Sequence, residues 1–389
     1  MQELIEAGLN GVGVLCLIAA AVGCLYALAA AVAVRMFARR KPAVRGAQPG
    51  LTVLKPLHGA EPDLLAKLET FCSQDYSGPV QIIFGVQDAD DPAIAAVRVL
   101  QHRHPAADIA LVVNTREHGA NRKVSNLINM AGLIAHELVL LADSDIEAPA
   151  DHFSRVVAEL LEPEVGMVTC LYRGQAAGGL WSTLAAQGID WHFIPSVIVA
   201  LGLRAAQPCF GSTMAFSAAT LRAIGGFEAF ANHLADDYEM GHAVRALELA
   251  IVVPAYAVGH TCADATLSEL VGQELRWART IRTINPVGFL GTAVTHAVPL
   301  ALAGALLHQG SSLAVGLVAA TLTSRLILQI QVSYLLDTEL GEVWLGPVRD
   351  MFSFAIFLAS FWPGAVTWRG RRFGVSADGR LLAVKKRGL

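Results

Sequence analysis

Charge is scarce in this sequence. Asp, Glu, Lys and Arg make up 16% of the 389 residues, against 54% hydrophobic residues. That balance places part of the chain in a membrane. An excess of either sign is missing as well: the formal net charge is −4, which gives no overall footprint for nucleic acid. Basic residues matter here by position. Paired cysteines are also lacking. Six cysteines lie dispersed at 16, 24, 72, 170, 209 and 262; without metal-type spacing they point to no zinc site and to reduced thiols in a cytosolic catalytic part.

What is present begins with a long apolar run. Leu9 to Val34 is uncharged, preceded by Glu3 and Glu6 and followed by Arg35, Arg39, Arg40 and Lys41. About 20 apolar residues cross a bilayer, and a secretory signal would be shorter with its positive charge first. The basic flank comes after the run, so the positive-inside rule puts Met1 outside and the residues after Arg35 in the cytosol.

Beyond a linker at 43–50, short apolar runs at 51–54, 80–86, 109–113 and 138–142 read as buried strands, with helices between them. This alternation predicts an α/β class with a doubly wound, mostly parallel sheet. Residues 211–216 and 250–253 add strands. From Trp181 to Arg204 the chain is apolar but interrupted by Asp190, His192 and Pro195, which suggests a greasy helical surface near the membrane rather than a span. Residues 269–282 read as a helix with Gln273, Arg276 and Trp277 on one face. Two span candidates follow, 287–307 and 312–336, the second interrupted by Arg325. A last apolar stretch, 344–362, is broken by Pro347, Arg349 and Asp350, and the tail from Arg369 is basic. A cytosolic catalytic part and a cytosolic tail require an even number of crossings between them. The stretch 344–362 is therefore read as interfacial or re-entrant, since Arg349 and Asp350 are costly in hydrocarbon. The expected organisation is an anchor and linker at 1–46, a catalytic domain at 47–285, membrane or interfacial helices at 286–368 and a basic tail at 369–389.

The chemistry centres on Asp143-Ser144-Asp145, directly after the apolar run 138–142. Acids at the carboxyl end of a buried strand lie where open α/β sheets bind ligands. Two carboxylates one residue apart are tolerable around a divalent cation, and Mg²⁺ or Mn²⁺ takes hard oxygen ligands together with substrate phosphates. The plainer alternative is a strand-end turn, which Asp and Ser favour.

In order along the chain, Asp88, Asp143-Ser-Asp145, Asp236-Asp237 and Gln273-x-x-Arg276-Trp277 resemble the D, D, D, (Q/R)xxRW signature of processive and lipid-directed family 2 glycosyltransferases, which share the GT-A nucleotide-sugar fold. The ceramide glucosyltransferase group, family 21, is more similar still. That likeness rests on Leu54-Lys-Pro-Leu57, Leu68-Glu-Thr-Phe71, Val86-Gln-Asp-Ala-Asp-Asp-Pro-Ala-Ile94, Lys123-Val-Ser-Asn-Leu127, Asp237-Tyr238 and Thr367-Trp-Arg369. It runs from about residue 51 to 373, nearly the whole chain. Within the group the chain resembles the bacterial hopanoid-biosynthesis branch, through Asn121 to Met130, Thr169 to Gly174, Pro208 to Thr213 and His260 to Ala263. The resemblance implies a multi-pass enzyme of the bacterial cytoplasmic membrane. It would move N-acetylglucosamine from a UDP donor onto bacteriohopanetetrol; the alternative is glucose onto ceramide. Animal ceramide enzymes do not keep both acids of the strand-end pair, so Asp143 and Asp145 together favour metal dependence here.

Residue by residue, the resemblance implies Asp145, with Asp143, as metal ligands, and Asp88, Lys123, Asp143 and Arg276 as donor-binding groups. Asp237 would be the general base, with Asp236 a supporting acid. Gln273 and Trp277 would close over diphosphate and acceptor, and His192 and Cys209 match positions associated with the acceptor lipid. Each has a structural alternative. Asp88 could cap the helix after Pro92, and Lys123 could be a solvated surface side chain. Asp237 could be an acid favoured by a helix dipole, and Gln273 to Trp277 part of an interfacial helix. His192 could be a core histidine and Cys209 a small buried thiol. His260 could be an extra metal ligand, although a lone His is more often structural. Two other functions fit the sequence less well. A polysaccharide synthase shares the four motifs but needs more spans for export, and a non-catalytic binding protein would have lost one of the motif acids.

Overall fold

The computed structural model describes residues 2–43, 46–205, 208–338, 340–362, 366–368, 371–375 and 381–383. It divides into two compact units that interleave along the chain. One comprises Met1–Arg40, Gly178–Ala206 and Asp264–Gly364; the other comprises Lys41–Ala177, Gln207–Ala263 and Ala365–Leu389. Residues 178–206 and 264–285, which the sequence groups with the catalytic domain, thus pack with the first unit.

In chain order the elements are α1 (Gln2–Ala38), β1 (Leu51–Pro56), α2 (Leu64–Cys72), β2 (Val80–Val86), α3 (Ala93–Arg103), β3 (Asp108–Val113), α4 (Arg122–Ala131), β4 (Leu138–Ala142) and β5 (Ile146–Glu147). Next come α5 (His152–Leu160), β6 (Val165–Thr169), β7 (Leu171–Ala176), α6 (Leu180–Gly188), a π-helical turn (Ile189–Phe193) and α7 (Ile194–Gly202). These are followed by β8 (Thr213–Ser217), α8 (Ala218–Ala223), α9 (Asp236–Ala246), β9 (Ala250–Val252), β10 (Ala257–Cys262) and α10 (Leu267–Ile284). The last helices are α11 (Pro286–Gly291), α12 (Ala297–Leu307), α13 (Ser312–Leu335) and α14 (Gly346–Ala359).

The α/β unit is built on a seven-stranded sheet in the order β3-β2-β1-β4-β8-β6-β9. β3, β2, β1 and β4 run parallel, β8 is antiparallel to both β4 and β6, and β9 is parallel to β6. All five residues of β4 are buried, as expected for a strand covered on both faces. Side chains alternate between two cores. Leu51 and Val53 join α2, α3 and α5 on one face, while Leu54 joins α4, α8 and α9 on the other. Burying each such Leu, Val or Phe contributes roughly 1.5–3 kcal/mol. A second sheet, β5-β10-β7, pairs β10 antiparallel with β5 and parallel with β7. The sequence reading missed β6, β7 and β10, whose glycines and polar residues dilute the apolar pattern.

The other unit is helical. Among the described residues three helical stretches are each long and apolar enough to cross a membrane: Gly8–Ala38, Leu180–Gly202 and Ser312–Leu335. α1 packs along α12 and α13, while Leu15, Leu25 and Met36 on its outer face are each more than 60% exposed, as befits lipid-facing side chains. Small residues allow the close approach: a Cβ on Gly23 would meet that of Ala297 at 2.6 Å. The expected span at 287–307 is bent by 63° between Thr295 and Ala297. The stretch 181–204, expected not to read as a span, is one helical run long enough to be one, with Asp190 and His192 absorbed in the π-helical turn. Of the basic tail, only the backbone of Arg371–Val375 and Leu381–Ala383 falls within the described residues, and Arg369 lies outside them.

Candidate active site

The candidate chemistry of the α/β unit gathers at the carboxyl edge of its parallel strands. Asp143-Ser144-Asp145 follows β4, Asp88 lies just beyond β2, and Lys55 is the last residue but one of β1. Lys123 stands in the first turn of α4, which Asn121 caps by accepting from the Val124 N–H at 3.1 Å. Asp236 and Asp237 open α9, where the helix dipole favours acids.

Several contacts join these pieces. Lys123 Nζ lies 2.5 Å from Asp143 Oδ1 and donates to the Gly211 carbonyl at 3.2 Å. The N–H of the same Gly211 donates to Asp237 Oδ2 at 2.8 Å, and the Tyr238 N–H donates to Asp237 Oδ1 at 2.8 Å. Gly211 thus bridges Lys123 and Asp237; a Cβ there would stand 3.1 Å from the Asp237 carboxylate and 3.3 Å from Lys123 Nζ. Asn121 also donates to Asp236 Oδ1 at 3.1 Å, leaving Asp236 Oδ2 buried without a partner. On the other side of the turn, Asp145 Oδ2 faces His260 Nδ1 at 3.4 Å. The strand register places His260 opposite Ile146. Asp145 Oδ1 is buried and has no hydrogen-bond partner.

Charges in this edge depart from their ordinary behaviour. Burial, reinforced by Asp236, pushes the Asp237 carboxyl up to about 6, against the pull of Lys123 and two backbone N–H groups. Burial also raises Asp143, in spite of Lys123. Asp145 is held below the usual carboxylate range: burial opposes this, but His260, Lys55 and Lys123 together outweigh it. Lys123 is raised, because Asp143 and Asp236 overcome the cost of burying it.

The structure also shows residues that the sequence reading did not single out. Lys55 is fully buried, donates to the Asp143 carbonyl at 2.8 Å and lies 3.6 Å from the centre of the Phe71 ring. Burial brings it down to about 7, even with Asp145, Asp143 and Glu61 nearby. Ser144 Oγ donates to Glu61 Oε1 at 2.7 Å. The signal was a lysine closing an otherwise apolar buried strand, Leu-Thr-Val-Leu-Lys. Of the acids after β2, Asp91 is the buried one, accepting from the Gly59 and Ala93 N–H groups. Asp88 is exposed, and its Oδ1 accepts from the Asp90 N–H at 3.0 Å within its own turn; it shares the strand edge without touching the Asp143–Lys123–Asp237 cluster in any hydrogen bond or ion pair described.

The remaining candidates lie outside this set of hydrogen bonds and ion pairs. Cys209 is buried between Met167 and Met214, its sulfur 3.4 and 3.5 Å from theirs, and burial raises its thiol pKa. It is a packing residue of the core that includes Val124 and Met240. Gln273, Arg276 and Trp277 are half-buried on α10 of the helical unit. α10 starts with a capping box between Thr266 and Glu269, and the Arg276 guanidinium lies 5.9 Å from the Trp277 ring centre. His192, in the same unit, is bound to Asp350 at 2.8 Å. Among the described residues no group of three His, Cys, Asp or Glu side chains forms a metal cage by itself.

A mostly parallel α/β sheet of this kind is the fold of GT-A glycosyltransferases. The mannosyltransferase of Pyrobaculum calidifontis, solved in complex with GDP-Man and Mn²⁺, shares it: TM-score 0.52 and 20% identity, with 91% of this chain and 99% of that one covered. Glycosyl transferase family 21 matches residues 15–381, and the chain belongs to that family. Ceramide glucosyltransferase 1 of Caenorhabditis elegans is 23% identical over 355 residues, 87% of this chain and 74% of the relative. An N-acetylglucosaminyltransferase of Rhizobium meliloti is 29% identical over 169 residues, 43% of this chain and 37% of the relative.

Proposed function

We propose that this protein is a membrane-bound, inverting hexosyltransferase that moves N-acetylglucosamine from UDP-N-acetylglucosamine to a hydroxyl of a hopanoid alcohol such as bacteriohopanetetrol. Transfer of glucose from UDP-glucose to ceramide is the second reading, favoured by the ceramide glucosyltransferase relatives. The observation that carries the proposal is the linked set Asp143–Lys123–Gly211–Asp237. It holds a cation and a carboxylate poised near 6 at one strand edge.

In this reading Asp237 accepts the proton of the lipid hydroxyl. A carboxylate with its pKa near 6 is ionised at neutral pH and more basic than an ordinary Asp, as a general base requires. The oxygen attacks the anomeric carbon opposite the diphosphate. The new C–O bond forms, the bond to phosphate oxygen breaks, and UDP leaves with the electron pair, so an α-linked donor gives a β-glycoside. Gly211 and Tyr238 hold the Asp237 carboxylate by backbone N–H groups, and Asp236, fixed by Asn121, keeps its basicity up. Lys123 offsets charge on Asp143 and on the departing diphosphate. Asp88 is assigned to the uridine, and Arg276, Gln273 and Trp277 to the diphosphate and acceptor; these assignments rest on the motif order in the sequence. His192 remains assigned to the acceptor side on the same ground.

A divalent cation, Mn²⁺ or Mg²⁺, fits the donor set. Asp145 offers a buried oxygen with no hydrogen-bond partner, Asp143 a second carboxylate, and His260 an imidazole beside Asp145. Such ions are commonly completed by substrate phosphates and water. When bound, the cation supplies Lewis-acid stabilisation of the diphosphate. The Mn²⁺ in the Pyrobaculum calidifontis neighbour supports this assignment. The test is to incubate purified protein with UDP-N-acetylglucosamine or UDP-glucose, each with bacteriohopanetetrol or ceramide, and to weigh the extracted lipids by mass spectrometry. A mass gain of one N-acetylhexosamine on the hopanoid is expected. A hexose on ceramide selects the second reading, and a long glycan polymer contradicts both.

A further inference from the structure

Two adjacent residues of α14 are bound to opposite partners. The Arg349 guanidinium grips Glu274 of α10 with both arms, Nη1 to Oε1 at 2.6 Å and Nη2 to Oε2 at 2.8 Å, and Nη1 also donates to the Leu184 carbonyl of α6 at 3.0 Å. Asp350 accepts two bonds from Arg325 of α13, at 2.7 and 3.0 Å, and contacts His192 at 2.8 Å. Arg349, Asp350 and Arg325 are each at most 4% exposed. α6 makes room for the first grip: a Cβ on Gly188 would stand 2.6 Å from Arg349 Nη2.

Glu274 occupies a telling place. It follows Gln273 and precedes Arg276 and Trp277 in one turn of α10. Each residue turns a helix by about 100°, so Glu274 leaves the helix to one side of the face formed by Gln273, Arg276 and Trp277. A two-armed guanidinium–carboxylate pair constrains orientation as well as distance. Holding Glu274 from that side constrains the rotation of α10, and the bonds of Arg349 go to Glu274 and the Leu184 carbonyl rather than to Gln273, Arg276 or Trp277.

We propose that Arg349 is a positioning residue for sugar transfer: through Glu274 it sets the rotation of α10 and so the placement of Gln273, Arg276 and Trp277. This rests on the reading that the α10 motif serves the donor and acceptor. A pair that only held the fold together would behave differently from one that aims a helix. A buried ion pair can often be replaced by apolar residues of similar size without loss of stability, and that separates the two roles.

The experiment measures kcat, donor KM and melting temperature of the full chain in lipid nanodiscs. The variants are Arg276→Ala, Arg349→Lys, Gly188→Ala and the apolar pair Glu274→Leu/Arg349→Met. We expect the apolar pair to melt within a few degrees of wild type yet lose at least tenfold in kcat. Arg349→Lys, which keeps the charge but not the fork, and Gly188→Ala, which displaces it, should each lose severalfold in kcat with donor KM little changed. If the apolar pair does not fold, Arg349→Lys decides. Wild-type kcat in any of these folded variants overturns the proposal. Wild-type activity in Arg276→Ala instead overturns the underlying reading of α10, so the two failures are distinct.

Discussion

Asp237 is where the protein's electrostatics and its chemistry meet. Burial and Asp236 push its carboxyl up to about 6, and only the ionised form can take a proton. As the proposed base, Asp237 predicts that activity falls as the pH drops through 6 and is full above it. A pH profile of kcat/KM at saturating acceptor should show an ascending limb near that value. Lys55 makes a second residue-scale prediction. It donates a hydrogen bond to the backbone of the acid-bearing turn, a contact worth about 0.5–1.5 kcal/mol. Lys55→Met should lower donor affinity roughly tenfold or more, measured by titration with UDP, and lower the melting temperature with it. The acids of this edge were legible because carboxylates after a buried strand have few other uses. Lys55 was not, since a lysine beside a proline at a strand end reads as the edge of a turn.

Among the elements, the α6–π–α7 run gives the clearest constraint. By length and composition it could cross a membrane. Yet β7, directly before it, pairs with β10, and β8, directly after it, pairs with β4 and β6. A single crossing would put strands of one folded unit on opposite sides of the bilayer. The run must therefore enter and leave on the same side, so cysteines introduced at Ala177 and Ala205 should react with an impermeant maleimide from the same face. Labelling from opposite faces would contradict it. The sequence pointed to this behaviour for a different reason, the polar residues Asp190 and His192; what decides it is strand pairing across the insertion, which no local pattern carries. The helices and strands with clean periodicity, β2 and β4 above all, were legible to the residue. β8 was expected to begin at Gly211 and begins at Thr213, because Gly211 is engaged in the site instead.

For the whole molecule, membrane topology follows from counting. With α6–α7 not crossing, the candidates after the α/β segments are the bent pair α11–α12 and the span α13. α14 has 14 residues and reaches about 21 Å at 1.5 Å per residue, short of the roughly 30 Å hydrocarbon core. Its Arg349 and Asp350 are paired inside the helical unit, so length rather than their charge is the argument against a span. Two crossings return the chain to the side it left, and a tag appended after Leu389 should be protease-sensitive from the same face as the α/β unit. The division into two interleaved units was hidden from the sequence, since residues 178–206 and α10 are continuous in pattern with their neighbours and change partner only in space.

The central claim is that one strand edge separates two tasks, with Asp143, Asp145 and Lys123 holding the donor and Asp237 activating the acceptor. The most direct measurement is Asp237→Asn, assayed for UDP-sugar binding and for transfer on the same preparation. Donor affinity should stay within about threefold of wild type while transfer is lost by 100- to 10,000-fold, the range expected for a missing general base. Transfer at the wild-type rate, or donor affinity lost in parallel with it, would rule out this division of labour.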